Sequence, residues 1–218
     1  MLLLHQTGDK TMGFNNLNDL DAMHLDVLRE IGNIGSGNAA TSLSAMLNTP
    51  VKIEVPNISL INYEHVSQYL GGKDREVIGL ALGLEADIEG VMLHVVQPKF
   101  ASRIINAFYP KEIQTLQDIN EMDLSAVKET SNITTAAYVN SMATMTDTFI
   151  NITPPIEYLD TVENVLKHAS DRFDAIGRQV IYIDENLYIG DAEIKSSMIL
   201  ILQIDSLKKL FDKLGIPY

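Results

Sequence analysis

The feature of this sequence that most constrains its fold is an internal repeat with an offset of 99 residues. In both copies an aspartate or serine is followed by glutamate four positions later, asparagine three positions after that, and proline a further 23 positions on. The matching residues are Asp26, Glu30, Asn33 and Pro56 in the first copy, and Ser125, Glu129, Asn132 and Pro155 in the second. Such self-similarity predicts two related halves, at about 17–113 and about 116–218.

Each half has the same predicted succession of elements: a long helix, a strand, an irregular segment, a hairpin and a closing helix. In the first half we expect helix 19–48, strand 51–55, a hairpin turning near Glu85–Ala86, and helix 98–108. In the second half we expect helix 121–147, strand 149–153, hairpin strands 178–189 and 192–204, and helix 205–214.

The two halves are predicted to form a single domain, because no linker rich in proline, glycine or serine separates them. The expected class is α/β of the α+β type, over residues 17–218. One continuous, mostly antiparallel sheet should carry the long helices, with the halves related by a pseudo-twofold axis. Residues 1–16 are predicted to be a flexible leader.

Three glycines, Gly32, Gly35 and Gly37, lie within six positions of the first long helix. Each costs a helix interior about 1 kcal/mol relative to alanine. A helical wheel places Gly32 and Gly35 in a buried stripe together with Ile34, where a missing side chain allows close packing. Gly37 falls instead on an exposed ridge, where it leaves room for a docking partner.

The wheel predicts such a ridge on each long helix. The residues expected on it are Asp26, Glu30, Asn33, Gly37 and Ala40 in the first half, and Ser125, Glu129, Asn132, Ala136 and Val139 in the second. The second copy has Ser131 and Thr134 in place of Gly32 and Gly35. Glycine at those two positions is therefore not required by the polar pair, which favours the packing explanation.

Charge and composition exclude several functions. The formal net charge of −13 argues against nucleic acid or an anionic membrane surface as the main partner, and favours a basic patch on another protein. The absence of cysteine rules out disulfides, thiol nucleophiles and cysteine-ligated zinc. No apolar run approaches the ~20 residues of a membrane-spanning helix, so we predict a cytoplasmic protein without membrane insertion.

Two weaker patterns have ordinary structural explanations. The glycines lack the lysine and the preceding strand of a phosphate-binding loop. Asp21 and His24 could contact one metal ion, but no other ligand cluster supports them. We interpret this pair as a polar helix start.

A glutamate and an asparagine three positions apart on a helix share one face, about 5–6 Å apart. One such pair is weak evidence, because a solvated helix face explains it equally well. Two pairs with matching flanks, in halves that otherwise differ widely, are stronger evidence. An amide can hold and orient a water molecule, and a carboxylate can bind a cation. This combination suits phosphoryl transfer, which relies mainly on positioning and electrostatics.

The segments "REIGNIGSGNAATSLSAMLNTPVKIEVP" and "KETSNITTAAYVNSMATMTDTFINITPP" resemble the two signature segments of the CheC family of bacterial chemotaxis phosphatases, a group that includes CheX and FliY. The Asp/Ser-x3-Glu-x2-Asn-x22-Pro spacing is that family's pattern, and both copies match it in full. The resemblance extends from about residue 17 to the last residue. The second copy departs from the first in having fewer glycines.

The resemblance implies hydrolysis of the phosphoaspartate of phosphorylated CheY, the response regulator that controls flagellar switching. It implies that Asn33 and Asn132 orient the water, and that Glu30 and Glu129 contact a lysine of CheY. Mg²⁺ would belong to CheY, and the chain would have no cofactor of its own. Residues expected to flank or close the sites are Asp26, Gly37, Ser125 and Ala136 for docking, and Pro56 and Pro155 at the end of each motif.

An alternative function is that of a non-catalytic flagellar-switch or adaptor protein that binds CheY or a CheD-type deamidase. FliM-type middle domains resemble the expected fold but lack the Glu–Asn pair. A CheD-type deamidase is also an expected partner of the phosphatase by family resemblance. Replacing the asparagines distinguishes the two functions, because only a catalyst needs them for turnover.

Overall fold

The computed structural model describes residues 17–172 and 179–217, and the predicted leader lies outside this part. The described α-helices are α1 (Ala22–Leu47), α2 (Val66–Tyr69), α3 (Pro98–Phe108), α4 (Glu121–Thr146), α5 (Val162–Arg172) and α6 (Ile204–Lys213). The strands are β1 (Val51–Ile53), β2 (Asn57–Asn62), β3 (Glu76–Ala86), β4 (Gly90–Val96), β5 (Ile150–Ile152), β6 (Ile156–Thr161), β7 (Gln179–Ile189) and β8 (Ala192–Leu202). No helix in these two ranges has the length and apolar character needed to cross a bilayer.

The two long helices, α1 and α4, begin and end at equivalent positions. Their N-caps are Asp21 and Asn120, whose side chains accept hydrogen bonds from backbone N–H groups of the first turn. Their C-caps are Asn48 and Asp147, with left-handed φ values of 46° and 49° that these residue types tolerate. Asp21 also bonds the ring of His24 within a capping box, which confirms that this pair is a helix start.

All eight described strands lie in one antiparallel sheet with the order β1-β7-β8-β4-β3-β5, in which β2 also pairs with β7 and β6 with β3. The central pair, β4 and β8, joins the two halves directly. The α+β class and the continuous antiparallel sheet are therefore confirmed.

The outer strands are exchanged between the halves. Strands β1 and β2 of the first half pair with β7 of the second, and β5 and β6 pair with β3 of the first. The registers correspond: Val51 lies opposite Ile189, and its counterpart Ile150 lies opposite Ala86. The pseudo-twofold relation remains a prediction, and this reciprocal pairing supports it.

Helices cover both faces of the sheet, as strand β4 illustrates. Its residues Val91, Leu93 and Val95 pack in one cluster with Val66 of α2 and apolar residues of α5. The alternate residues of β4 pack on the opposite side with α1, α3, α4 and α6. The sequence pattern predicted long helices on the sheet but not this second helical layer.

Two predicted element assignments are corrected by the structure. The segments expected to be irregular contain β2 with α2 and β6 with α5. In β2 the buried residues Ile58 and Ile61 are three apart, so the period-two pattern that identifies a strand is missing. The hairpin of the first half turns at Asp87–Glu89, between the end of β3 and the start of β4, and not at Glu85–Ala86.

The glycines of α1 lie where the helix is approached most closely. A Cβ atom on Gly35 would lie 2.9 Å from the Cα atom of Tyr138 in α4, and one on Gly32 would lie 2.6 Å from the Cδ1 atom of Ile58. These distances confirm the packing interpretation for both glycines. Ile34 was wrongly placed in the buried stripe: it is 38% exposed, because it lies at the outer edge of that stripe.

A buried polar cluster lies between α4 and the sheet. The hydroxyl of Tyr138 donates a hydrogen bond to Oε2 of Glu185 at 2.5 Å, and Ser196 also bonds this carboxyl group. Burial is the largest influence on Glu185 and raises its pKa to about 7, with the nearby Asp184 charge acting in the same direction. The group therefore changes its charge near neutral pH within the folded protein.

The Glu185→Gln variant should lose the change of charge at position 185 near neutral pH, and with it the effect of that change on stability. A carboxyl group whose pKa is higher in the folded than in the unfolded state destabilises the fold as pH rises from its unfolded to its folded pKa. Between about pH 5 and 8, the unfolding free energy of the variant should therefore gain about 1–3 kcal/mol relative to the unmodified protein. Urea unfolding at both pH values measures this difference. Glu163→Gln, at an exposed side chain, is the control. A difference in unfolding free energy between Glu185→Gln and the unmodified protein that is the same at both pH values would contradict the prediction.

Candidate functional site

The first ridge is defined as Asp26, Glu30, Asn33 and Gly37, and all four are exposed on α1. The side chains of Glu30 and Asn33 have no hydrogen bond or ion pair with any residue in the described part of the chain. Both are therefore available to a water molecule or to a partner protein.

The second ridge is defined as Ser125, Glu129, Asn132 and Ala136 on α4. Ser125 and Glu129 are exposed, whereas Asn132 and Ala136 are half-buried. As in the first ridge, neither Glu129 nor Asn132 is bonded through its side chain to another described residue. Val139 was expected to continue this ridge and is fully buried, because it packs into the core cluster beneath α4. The second ridge is consequently shorter than predicted, and its asparagine is less accessible.

Each glutamate of the two ridges follows a basic residue that is bonded elsewhere. The guanidinium of Arg29 lies 2.6 Å from the carboxylate of Asp26, and the ammonium of Lys128 lies 3.3 Å from that of Glu157 in β6. These cations are thereby drawn away from Glu30 and Glu129. The two glutamates remain free to bind a positive group brought by a partner.

The prolines that close the two motifs lie in the short connections between β1 and β2 and between β5 and β6. Pro56 is buried, and its Cγ atom lies 3.3 Å from the position that a Cβ atom of Gly32 would occupy. It therefore supports the helical turn between Glu30 and Asn33. Pro155 is half-buried and directly precedes β6.

Gly37 has no packing role in the described part of the chain. A Cβ atom at this position would meet nothing within 4 Å, in contrast to Gly32 and Gly35. This agrees with its predicted place on the exposed ridge. Its role in docking remains a prediction.

Two exposed methionines lie beside the ridges and were overlooked in the sequence analysis. Met23 is 52% exposed and Met122 is 69% exposed, at the first turns of α1 and α4. They are 99 residues apart, so the repeat offset was the signal that could have identified them. No group of three or more histidine, aspartate or glutamate residues suited to a metal ion occurs in residues 17–172 and 179–217.

The sequence profile of the CheC-like family matches residues 23–60 and 122–156, which contain both ridges and both motif prolines. The two matched segments begin 99 residues apart, at the offset of the internal repeat. The chain is 28% identical over 202 residues to the CheY-P phosphatase CheC of Bacillus subtilis, a match that covers 91% of the chain and 97% of that protein. It is also 28% identical over 200 residues to the flagellar motor switch phosphatase FliY of the same species, with 91% of the chain and 51% of FliY covered.

Solved structures of related folds agree with the architecture of this chain. The crystal structure of Thermotoga maritima FliY matches with a TM-score of 0.71 at 22% identity, over 90% of this chain and 98% of the crystallised chain. The FliM middle domain of H. pylori matches with a TM-score of 0.65 at 11% identity, over 89% of the chain and 99% of that domain. At these identities the likeness shows the shared fold.

The contrast between Gly35 and Gly37 predicts opposite effects of the same substitution. Gly35→Ala should lower the unfolding free energy by about 1–3 kcal/mol, because the new methyl group overpacks against the backbone of Tyr138. Gly37→Ala should raise it by up to about 1 kcal/mol through helix propensity alone. Chemical denaturation of both variants measures these changes, and equal shifts in the same direction would contradict the assignment.

Proposed function

We propose that this chain hydrolyses the phosphoaspartate of phosphorylated CheY at two sites, one on each ridge. The observation that carries the proposal is a Glu–Asn pair at equivalent turns of two helices, with no side-chain bond to another described residue. Glu30, Asn33 and Glu129 are exposed, and Asn132 is half-buried. The B. subtilis relatives CheC and FliY are both named as phosphatases, and CheC as one that acts on CheY-P. These names support the choice of substrate.

In the proposed reaction, the amides of Asn33 and Asn132 hold a water molecule in line with the phosphorus atom. The water oxygen forms a bond to phosphorus while the bond from phosphorus to the aspartate oxygen breaks, which releases inorganic phosphate and a free carboxylate. Positioning of this kind supplies most of the catalysis in phosphoryl transfer. The Mg²⁺ that neutralises the phosphoryl charge is assigned to CheY.

In the same proposal, Glu30 and Glu129 bind a lysine of CheY beside the phosphorylated aspartate. The ion pairs of Arg29 and Lys128 with other carboxylates leave the two glutamates free for this contact. We also propose a cytoplasmic location, because an activity on CheY requires it. A CheD-type deamidase remains a proposed second partner.

Replacing both asparagines tests the catalytic role. Asn33→Ala combined with Asn132→Ala should reduce kcat by at least about 100-fold, because misplacing the attacking water alone costs that much. Binding of phosphorylated CheY should change little, since both glutamates remain. Each single variant should retain part of the activity. Phosphate release from phosphorylated CheY, corrected for its spontaneous hydrolysis, is the measurement.

Two controls separate catalysis from docking. Asn164→Ala changes an exposed asparagine of α5, on the face of the sheet opposite to α1 and α4, and should leave the activity unchanged. Glu30→Ala combined with Glu129→Ala should weaken binding as well as turnover. If the double asparagine variant works at the parental rate, the water-positioning role is wrong and the non-catalytic adaptor becomes the better explanation.

A further inference from the structure

The motif of the proposed sites contains only polar residues and a proline, yet each ridge is bordered by an apolar side chain. Met23 precedes Asp26 by three residues and Glu30 by seven, so the three lie on one face of α1. Met122 has the same relation to Ser125 and Glu129 on α4. The exposed fractions of the two methionines are 52% and 69%.

Exposed hydrophobic side chains that occur singly need no explanation, but these two recur at the repeat offset. In the first two turns of the helices most other residues differ between the copies: Ala22, His24, Asp26 and Val27 correspond to Glu121, Asp123, Ser125 and Ala126. His24 and Asp123 are buried, so even positions with a packing role have changed. Methionine occurs at both positions although neither side chain is buried in the core.

We propose that Met23 and Met122 are docking contacts for phosphorylated CheY, one at each site. This inference rests on the proposed function and adds an apolar contact to it. A glutamate alone gives an exposed ion pair, which contributes little to affinity. A flexible thioether beside the glutamate supplies apolar area that is removed from water on binding, and it adapts to the shape of the partner's surface.

The two sites differ in the apolar side chain next to the asparagine. Ile34 follows Asn33 directly and is 38% exposed, whereas its counterpart Ile133 is half-buried against the core. The first site therefore has an exposed apolar side chain beside its asparagine, in addition to Met23.

Each methionine can be tested at its own site, because the opposite site is silenced by an asparagine substitution. Met23→Gln is made in the Asn132→Ala background and Met122→Gln in the Asn33→Ala background. Glutamine matches methionine in length and helix propensity, so both variants should melt at the parental temperature. The matched control is Phe149→Gln, which removes a side chain 64% exposed beyond the opposite end of α4.

In each background the methionine variant should raise KM for phosphorylated CheY by about 3- to 10-fold, as expected for losing one partly buried apolar contact. The kcat should stay within about twofold, because the asparagine and its water are untouched. Phe149→Gln should change neither constant. Unchanged KM values for both methionine variants, or a fall in kcat alone, would overturn the docking role while leaving the phosphatase intact.

A binding measurement keeps the two proposals separate. CheY treated with beryllofluoride, a stable mimic of the phosphorylated form, is titrated with the parental chain and with the Met23→Gln, Met122→Gln double variant. A loss of affinity supports the contact even if the parental chain shows no phosphatase activity, an outcome that would overturn only the proposed function. Equal affinities would overturn the contact.

Discussion

The structure depends on backbone hydrogen bonds that each half makes with the other. Because β1 and β2 pair with β7, and β5 and β6 with β3, the first strands of each half complete the sheet of the other. Helices α1 and α4 lead into these exchanged strands and are thereby placed side by side. Gly35 then allows the backbone of α1 to approach Tyr138, and the opposite faces of the helices remain exposed.

The position of the candidate sites follows from this arrangement. One side of each long helix is occupied by the partner helix and the sheet, so polar side chains are tolerated only on the other side. On that side, the basic groups of Arg29 and Lys128 form ion pairs with carboxylates of the same chain. The side chains of Glu30, Asn33, Glu129 and Asn132 have no hydrogen bond to another residue in the described part of the chain. An unpaired polar group is costly in a core but not where water reaches it.

The sequence was sufficient to predict the long helices, the hairpin strands and the exposed face of α1 around Glu30, because each has a local signal such as a cap, an alternation or a helical period. It was insufficient for β2, whose pairing with β7 depends on residues more than 100 positions away. Val139 and Ile34 were misplaced for a related reason. A helical wheel gives the direction of a side chain, whereas its burial depends on which neighbouring element covers that direction, as α4 is covered at Val139.

The exchange of outer strands also bears on how such a chain could arise. A polypeptide with only one half would leave the outer edge of its β3 or β7 strand without backbone partners, and open edges of this kind favour association. Two copies could satisfy each other by the same exchange, with the central strands paired across the interface. An ancestor of half the length would then be an obligate dimer with one site in each subunit. Fusion of two copies would free each site to change independently, as the differing burial of Asn33 and Asn132 illustrates.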